Sequence, residues 1–355
     1  MPSELRPNRI RDVSRRRRGP RSVALGTVLA AGLVAAACGD GGSGGGSGAP
    51  AAPGGATVLA TTSILADVAS QVTCGEVEVA PLVPRGADAH EFEPDVRDAD
   101  RLAGADLVVA NGLGLEEGLA DTLDRARSGG VEVFEVAPEL DPLPAGEGDE
   151  HAGDEDHAGD DEHADDGGHD HGDLDPHVWM DPVRMADAAE LIGARLADVE
   201  GLGVPPARLE RCTADYAQRL RGVAEEAAAT LAAVPAERRK LVTDHESLAY
   251  FADRFDLEVV GAAIPSTSSL GEPNARDLED LAEVVRATGV PAVFASVDGS
   301  DDVAQALADR VGGDVAVVSL HLESLDEPGA PAGTYEGMVR TNAALVADAL
   351  AGRRG

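Results

Sequence analysis

Five of the nine histidines in this chain stand in one acidic stretch, where His151, His157 and His163 recur every six residues and His169 and His171 close the series. Residues 141–174 contain almost no apolar side chain. Such a segment cannot bury enough surface to offset the entropy of ordering it, so it reads as a disordered loop. Neutral imidazole nitrogen is a borderline metal ligand, and carboxylates concentrate divalent cations around it, which makes the stretch a candidate metal-collecting tract. A solubilising acidic linker is the plainer alternative; solubility requires charge, however, and has no need of imidazole.

The other four histidines, His90, His177, His245 and His321, each fall at a predicted strand end or beside a turn. Any one of them alone reads as a solvent-exposed or internally satisfied side chain, and four in corresponding places shift that balance together. Their separation is long-range, unlike the tight pairs of a zinc finger or the His-Glu-x-x-His of a metalloprotease helix. Spacing by itself therefore assigns no metal site.

The elements that must carry these residues are legible from apolar patterning. Thr57–Thr62 reads as a strand, with Ser63 able to cap a helix over Ile64–Ala69. Val77–Val83, Asp106–Ala110 and Val131–Val136 read as further strands, with a helix from Pro94 to Ala103 and another between the last two strands. After the insert, Asp181-Pro182 opens a helix through Ala197, and Pro205-Pro206 opens a longer one reaching about Val234. A second array follows: strands Lys240–His245, Leu257–Val260, Pro291–Ala295 and Val315–Val318 alternate with helices, the last from Tyr335 to Leu350. Alternation of this kind predicts parallel βαβ units. The expected fold is α/β, with two βα lobes joined by a long spine helix and the ligand site in the cleft between them, beyond the carboxyl ends of the strands. The expected division is an N-terminal lobe over 57–204 that carries the loop 141–174, a linking helix over 205–235, and a C-terminal lobe over 236–355.

Composition bounds the partners. The chain has 355 residues and a formal net charge of −36 at pH 7, and fourteen of its carboxylates lie between Glu147 and Asp175. Such a surface repels nucleic acid and attracts cations. The N-terminus sets the compartment. Arg15–Arg18 precede an apolar run from Val23 to Ala37 that ends in small residues before Cys38, the anatomy of a secretory signal over 1–37. Cys38 followed by the Gly/Ser-rich tract of 38–56 resembles the lipidated cysteine and tether of a bacterial lipoprotein, although Ala35 stands where a larger aliphatic residue is usual. Outside the cytoplasm the remaining pair, Cys74 and Cys212, reads as one disulfide; two unpaired thiols are the alternative, since sequence does not show that they meet.

Four motifs carry a family resemblance. Gly86-Ala87-Asp88-Ala89-His90-Glu91-Phe92-Glu93-Pro94, Asp175-Pro176-His177-Val178-Trp179-Met180-Asp181-Pro182, Thr243-Asp244-His245 with Tyr250-Phe251, and Leu320-His321-Leu322-Glu323-Ser324-Leu325 with Tyr335, Met338 and Asn342 occur in this order. Together they resemble the zinc and manganese solute-binding lipoproteins that feed ABC transporters, over essentially the whole chain from residue 57. The His-rich insert before the second motif resembles the zinc-specific branch.

The resemblance implies His90, His177 and His245 as three metal ligands, and a fourth at Glu323, where the family usually has an aspartate; His321 or a water are the alternatives for that place. Three imidazoles and one carboxylate suit tetrahedral zinc better than manganese. Glu93 and Asp181 become candidates for orienting a ligand imidazole, against plainer roles as a solvated acid and a helix cap. The implied protein is a monomeric, membrane-anchored extracytoplasmic receptor, not an enzyme, that hands Zn2+ to an ABC permease and its ATPase with small lobe motions. A secreted zinc hydrolase is the chief rival, but Glu246-Ser247-Leu248-Ala249 supplies no second histidine at helical spacing after His245, and no Gly-x-Ser-x-Gly or phosphate loop occurs. A metal-buffering surface adhesin is the third reading.

Overall fold

The computed structural model describes residues 55–146, 174–271, 273–299, 302–312 and 315–352. The signal segment, Cys38, most of the tether and His151, His157, His163, His169 and His171 lie outside the described residues. Among the described residues no helix is long and apolar enough to cross a membrane.

The first lobe alternates β1 (Val58–Ala60), α1 (Ser63–Val72), β2 (Val79–Pro81), α2 (Val96–Ala103), β3 (Leu107–Ala110), α3 (Ala120–Ser128) and β4 (Glu132–Glu135). All pairings are parallel, in the order β2-β1-β3-β4. The central strands β1 and β3 are buried along their whole length, as a parallel strand covered on both faces must be. Two long helices follow, α4 (Pro182–Ala197) and α5 (Pro206–Leu231). The second lobe repeats the scheme with β5 (Lys240–His245), α6 (Ala249–Phe255), β6 (Glu258–Ile264), α7 (Ala275–Thr288), β7 (Ala292–Ser296), α8 (Asp302–Val311) and β8 (Ala316–Leu320), and α9 (Tyr335–Ala351) ends the fold. Its sheet is again parallel, ordered β6-β5-β7-β8. Both sheets therefore change winding direction after an inner strand, between β1 and β3 and between β5 and β7. Loops leaving the carboxyl ends of those strands diverge and open a crevice.

Helix α5 is the spine. Its 26 residues reach about 39 Å at ~1.5 Å rise per residue, and its buried stripe of Leu209, Tyr216, Leu220, Val223, Ala227 and Leu231 keeps helical spacing throughout. It packs on α1, α4 and α9. At Gly193 of α4 the two long helices approach closely, since a Cβ there would run into the Thr213 side chain. Cys74, just past α1, and Cys212 of α5 form a disulfide with Cα atoms 5.6 Å apart, which ties the first lobe to the spine. One core runs through the first lobe, α4, α5 and α9 into β5 and α6, and a smaller one holds the second sheet to α7 and α8.

Two local expectations change. Thr62 caps α1, accepting from Leu65 N at 3.2 Å, and the expected cap, Ser63, has another use. Its hydroxyl lies 3.0 Å from Ser324 Oγ and accepts from Leu325 N at 3.0 Å, joining α1 to the loop after β8. Strand β6 runs on through Gly261-Ala262-Ala263-Ile264, past the end at Val260 expected from the sequence. There Gly261 admits α7, since a Cβ would lie 2.5 Å from Leu281 Cδ1.

Candidate metal centre

Four loops at strand carboxyl ends converge. After β2, the loop bearing His90 is tied across the crevice: Arg85 donates to the carbonyls of Asp326 (2.6 Å) and Gly333 (3.1 Å), and Gly86 N donates to Ser324 Oγ (2.9 Å). Gly86 has φ +73, a conformation that costs a residue with a Cβ. On the far side of His90 lies the 3-10 turn Glu117–Leu119, where Gly118 sits so close to the Phe92 carbonyl that a Cβ would clash with it.

His177 stands before the turn Val178–Met180 that leads into α4. Its segment is pinned by Asn111 Nδ2 to the Pro176 carbonyl (3.0 Å), by Tyr250 Oη to the Asp175 carbonyl (2.7 Å) and by Trp179 Nε1 to the Leu322 carbonyl (2.7 Å). Tyr335 Oη donates to the Trp179 carbonyl (2.7 Å). His245 is the last residue of β5, and Glu323 follows β8.

The structure brings His90, His177, His245 and Glu323 together. All four are nearly inaccessible, at 3, 0, 2 and 2 % exposure. The imidazole centroids are 5.3 to 6.2 Å apart, and one nitrogen from each lies within 4.8 Å of the others. Glu323 Oε1 is 3.4 Å from His245 Nε2 and 3.7 Å from His177 Nε2. Nε2 of His177 and His245, both ring nitrogens of His90 and both oxygens of Glu323 are buried without a hydrogen-bond partner. Each such group costs ~1–3 kcal/mol, so a fold that gathers them fits a divalent cation, which can take up one nitrogen of each imidazole and the Glu323 carboxylate together. His321 is not among them. It lines a cavity of about 350 Å³ with Arg85 and Asp298, and its backbone pairs with the Asn342 side chain.

Protonation follows the geometry. Burial would lower His245, but the hydrogen bond to Asp244 and the charge of the adjacent Glu323 carboxylate outweigh it and push the imidazole up to about 10. Burial would raise Glu323, yet His245, His177 and His90 hold it down to about 2. His90 is lowered by burial, against the pull of Glu323, and is neutral at physiological pH. Behind Glu323, burial and the Glu323 charge push Asp298 up to about 7.

The acids that orient the imidazoles are not those expected from sequence. Asp175 Oδ1 meets both the backbone N (2.9 Å) and Nδ1 (2.7 Å) of His177. Asp244 Oδ1 does the same for His245, at 2.7 and 2.9 Å. Glu93 is solvent-exposed, while Asp181 caps α4 at Val183 N and is held by Arg184 and Arg254. Neither touches an imidazole. The overlooked signal was an aspartate one or two residues before each ligand-loop histidine, a spacing at which a carboxylate readily takes the histidine's own N–H. Asp88 completes that series, accepting from His90 N at 2.8 Å. For His90 Nδ1 the nearest acid is Glu117 Oε1, at 3.6 Å, beyond hydrogen-bond reach.

Residues 58–349 match the family model described as zinc-uptake complex component A, periplasmic. Among curated relatives, the chain is 28% identical to the zinc-binding protein TroA of Treponema pallidum, over 85% of this chain and 91% of the relative. It is 26% identical to the manganese-binding lipoprotein MntA of Halalkalibacterium halodurans, over 89% and 94%, and 24% identical to the iron-binding protein YfeA of Yersinia pestis, over 82% and 85%. Among solved structures it superposes on periplasmic zinc-binding protein TroA from Treponema pallidum with a TM-score of 0.69 at 25% identity, covering 84% of this chain and 99% of that one.

Proposed function

The chain belongs to the family of the periplasmic zinc-uptake complex component A, and on that premise we propose that it captures Zn2+ in the cleft through His90, His177, His245 and Glu323 and delivers it to an ABC permease for import. It is the metal-binding component of an ABC uptake system, not an enzyme. The observation that carries the choice of residues is the convergence of three imidazoles and one carboxylate, all buried, with six unpartnered ligand atoms between them. The preference for zinc rests on that donor set, since three nitrogens and one oxygen suit a tetrahedral ion; the relatives' names divide among zinc, manganese and iron.

The remainder of the reading joins sequence to this site. Cys38 carries the lipid that anchors a monomer to the outer face of the membrane, and the Gly/Ser tract is the tether. His151, His157, His163, His169 and His171 form weak sites that raise the zinc concentration beside the cleft. The ends of that segment meet in a Pro144–Leu174 bridge, and Gly146 lies against Glu246, the residue after His245. Polar ties across the crevice from Ser63, Arg85, Trp179 and Tyr335 support small lobe motions in place of a wide hinge.

The test is zinc uptake in the parent bacterium deleted for this chain. The intact sequence is expected to restore radiozinc accumulation and growth in zinc-limited medium, and a His90→Ala/His177→Ala/His245→Ala variant, exported to equal levels, is expected to restore neither. Full restoration by the triple variant would overturn the proposal. A smaller effect is expected at the orienting acids. Asp175→Ala frees the His177 ring, and such losses typically weaken metal binding ~10–100-fold; chelator competition against the unsubstituted chain measures it.

A further inference from the structure

The three histidines are not the only donor set in the cleft. Asp88, His90 and Glu323 each offer one donor atom within 4.8 Å of the others, and all three are buried. Asp88 is 6 % exposed, and one of its oxygens is used by His90 N, an N–H bond that leaves further lone pairs on the carboxylate. The two sets share His90, and His90 is the imidazole least constrained to either. His177 and His245 each have Nδ1 held by an aspartate at hydrogen-bond distance, whereas both nitrogens of His90 are buried and unpartnered. Glu323, likewise unpartnered at both oxygens, can face either way.

We infer that the cleft presents two overlapping positions: a nitrogen-rich one at His90, His177 and His245, and an oxygen-rich one at Asp88, His90 and Glu323 that takes a harder divalent cation of the manganese class. Carboxylate oxygen suits such ions, which also accept more ligands than zinc and fill the remaining places with water or a second carboxylate oxygen. Asp88 is then a specificity-determining ligand, and the two cations compete because both positions draw on His90 and Glu323. This inference rests on the reading of the cleft as the cargo site.

The experiment uses the full chain with His151, His157, His163, His169 and His171 changed to alanine, so that only the cleft is read. Zn2+ and Mn2+ affinities are measured by competition, with and without Asp88→Asn, which keeps a side-chain oxygen to accept from His90 N; the melting temperature of the metal-free variant checks the fold. Pulsed electron paramagnetic resonance counts the imidazole nitrogens coupled to bound Mn2+. The expected result is a loss of at least tenfold in Mn2+ affinity and less than threefold in Zn2+ affinity, with one coupled imidazole on Mn2+. Equal losses for both cations, no loss for either, three coupled imidazoles, or tight Zn2+ binding with no Mn2+ binding would each overturn this inference and leave the cargo reading standing. Failure of the chain without Asp88→Asn to bind either cation would overturn both.

Discussion

Replacing His177 with alanine is expected to weaken zinc binding by roughly 100- to 1,000-fold. Four-ligand zinc sites in small folds bind with ~10–16 kcal/mol, so one ligand of four accounts for roughly 2.5–4 kcal/mol. His177 is the most enclosed of the four, at 0 % exposure. The same substitution leaves Asp175 buried without its imidazole partner, at a cost of ~1–3 kcal/mol to the metal-free fold. Melting of the metal-free variant separates that loss from the binding loss. Changing His151, His157, His163, His169 and His171 together is expected to remove only weak additional sites in a calorimetric titration. Tight binding that follows the loop histidines and ignores His177 would reverse the assignment.

Zinc affinity is expected to rise steeply with pH. In the metal-free chain His245 is held up to about 10, so at neutral pH the cation must displace its proton, and affinity changes about tenfold per pH unit for each proton displaced. Between pH 6 and 8 that is about 100-fold from His245 alone. His90, already lowered by burial, adds no proton near neutrality. Calorimetry in buffers of different ionisation enthalpy is expected to find about one proton released per zinc at pH 7.5; pH-independent affinity without proton release would contradict the pairing of His245 with Asp244 and Glu323.

The same contact links pH to the stability of the metal-free chain. His245 is raised above its ordinary 6.5, so its contribution is complete below pH 6.5 and is lost as pH climbs through about 10. Glu323 is depressed below its ordinary 4.5, so its contribution is present above pH 4.5 and is lost as pH falls toward about 2. These are two views of one ion pair and count once. Its share of the melting temperature is greatest between pH 4.5 and 6.5, and bound zinc, which replaces the proton, removes the decline on the alkaline side.

Much of this was legible because the elements are locally consistent. Lys240–His245 is both the expected and the observed β5, and Asp181-Pro182 opens α4 as its cap and first-turn proline lead one to expect. The ligand loops could be placed because parallel sheets put them at strand carboxyl ends. What stayed hidden was set by tertiary contact. Ser63 and Thr62 are equivalent as caps until Ser324 claims one hydroxyl. The end of β6 extends past the expected Val260 into small residues, of which Gly261 serves the close approach of α7. Glu93 and Asp181 were nominated by nearness in sequence, but one faces solvent and the other is held by two arginines. Proximity of Glu117 to His90, and of Asp88 to Glu323, exists only once separate loops meet. The choice of Glu323 over His321 was likewise left open by sequence, and it is the buried carboxylate that lies against His177 and His245.

The most direct measurement is zinc-edge X-ray absorption on the chain lacking residues 147–173, loaded with one equivalent of zinc. The expected first shell holds three imidazole nitrogens and one carboxylate oxygen at ~2.0–2.2 Å, with the oxygen lost in Glu323→Ala. Failure to hold one zinc through gel filtration, or an imidazole count that does not fall when His90, His177 or His245 is replaced singly by alanine, would contradict the assignment of the cleft as the cargo site.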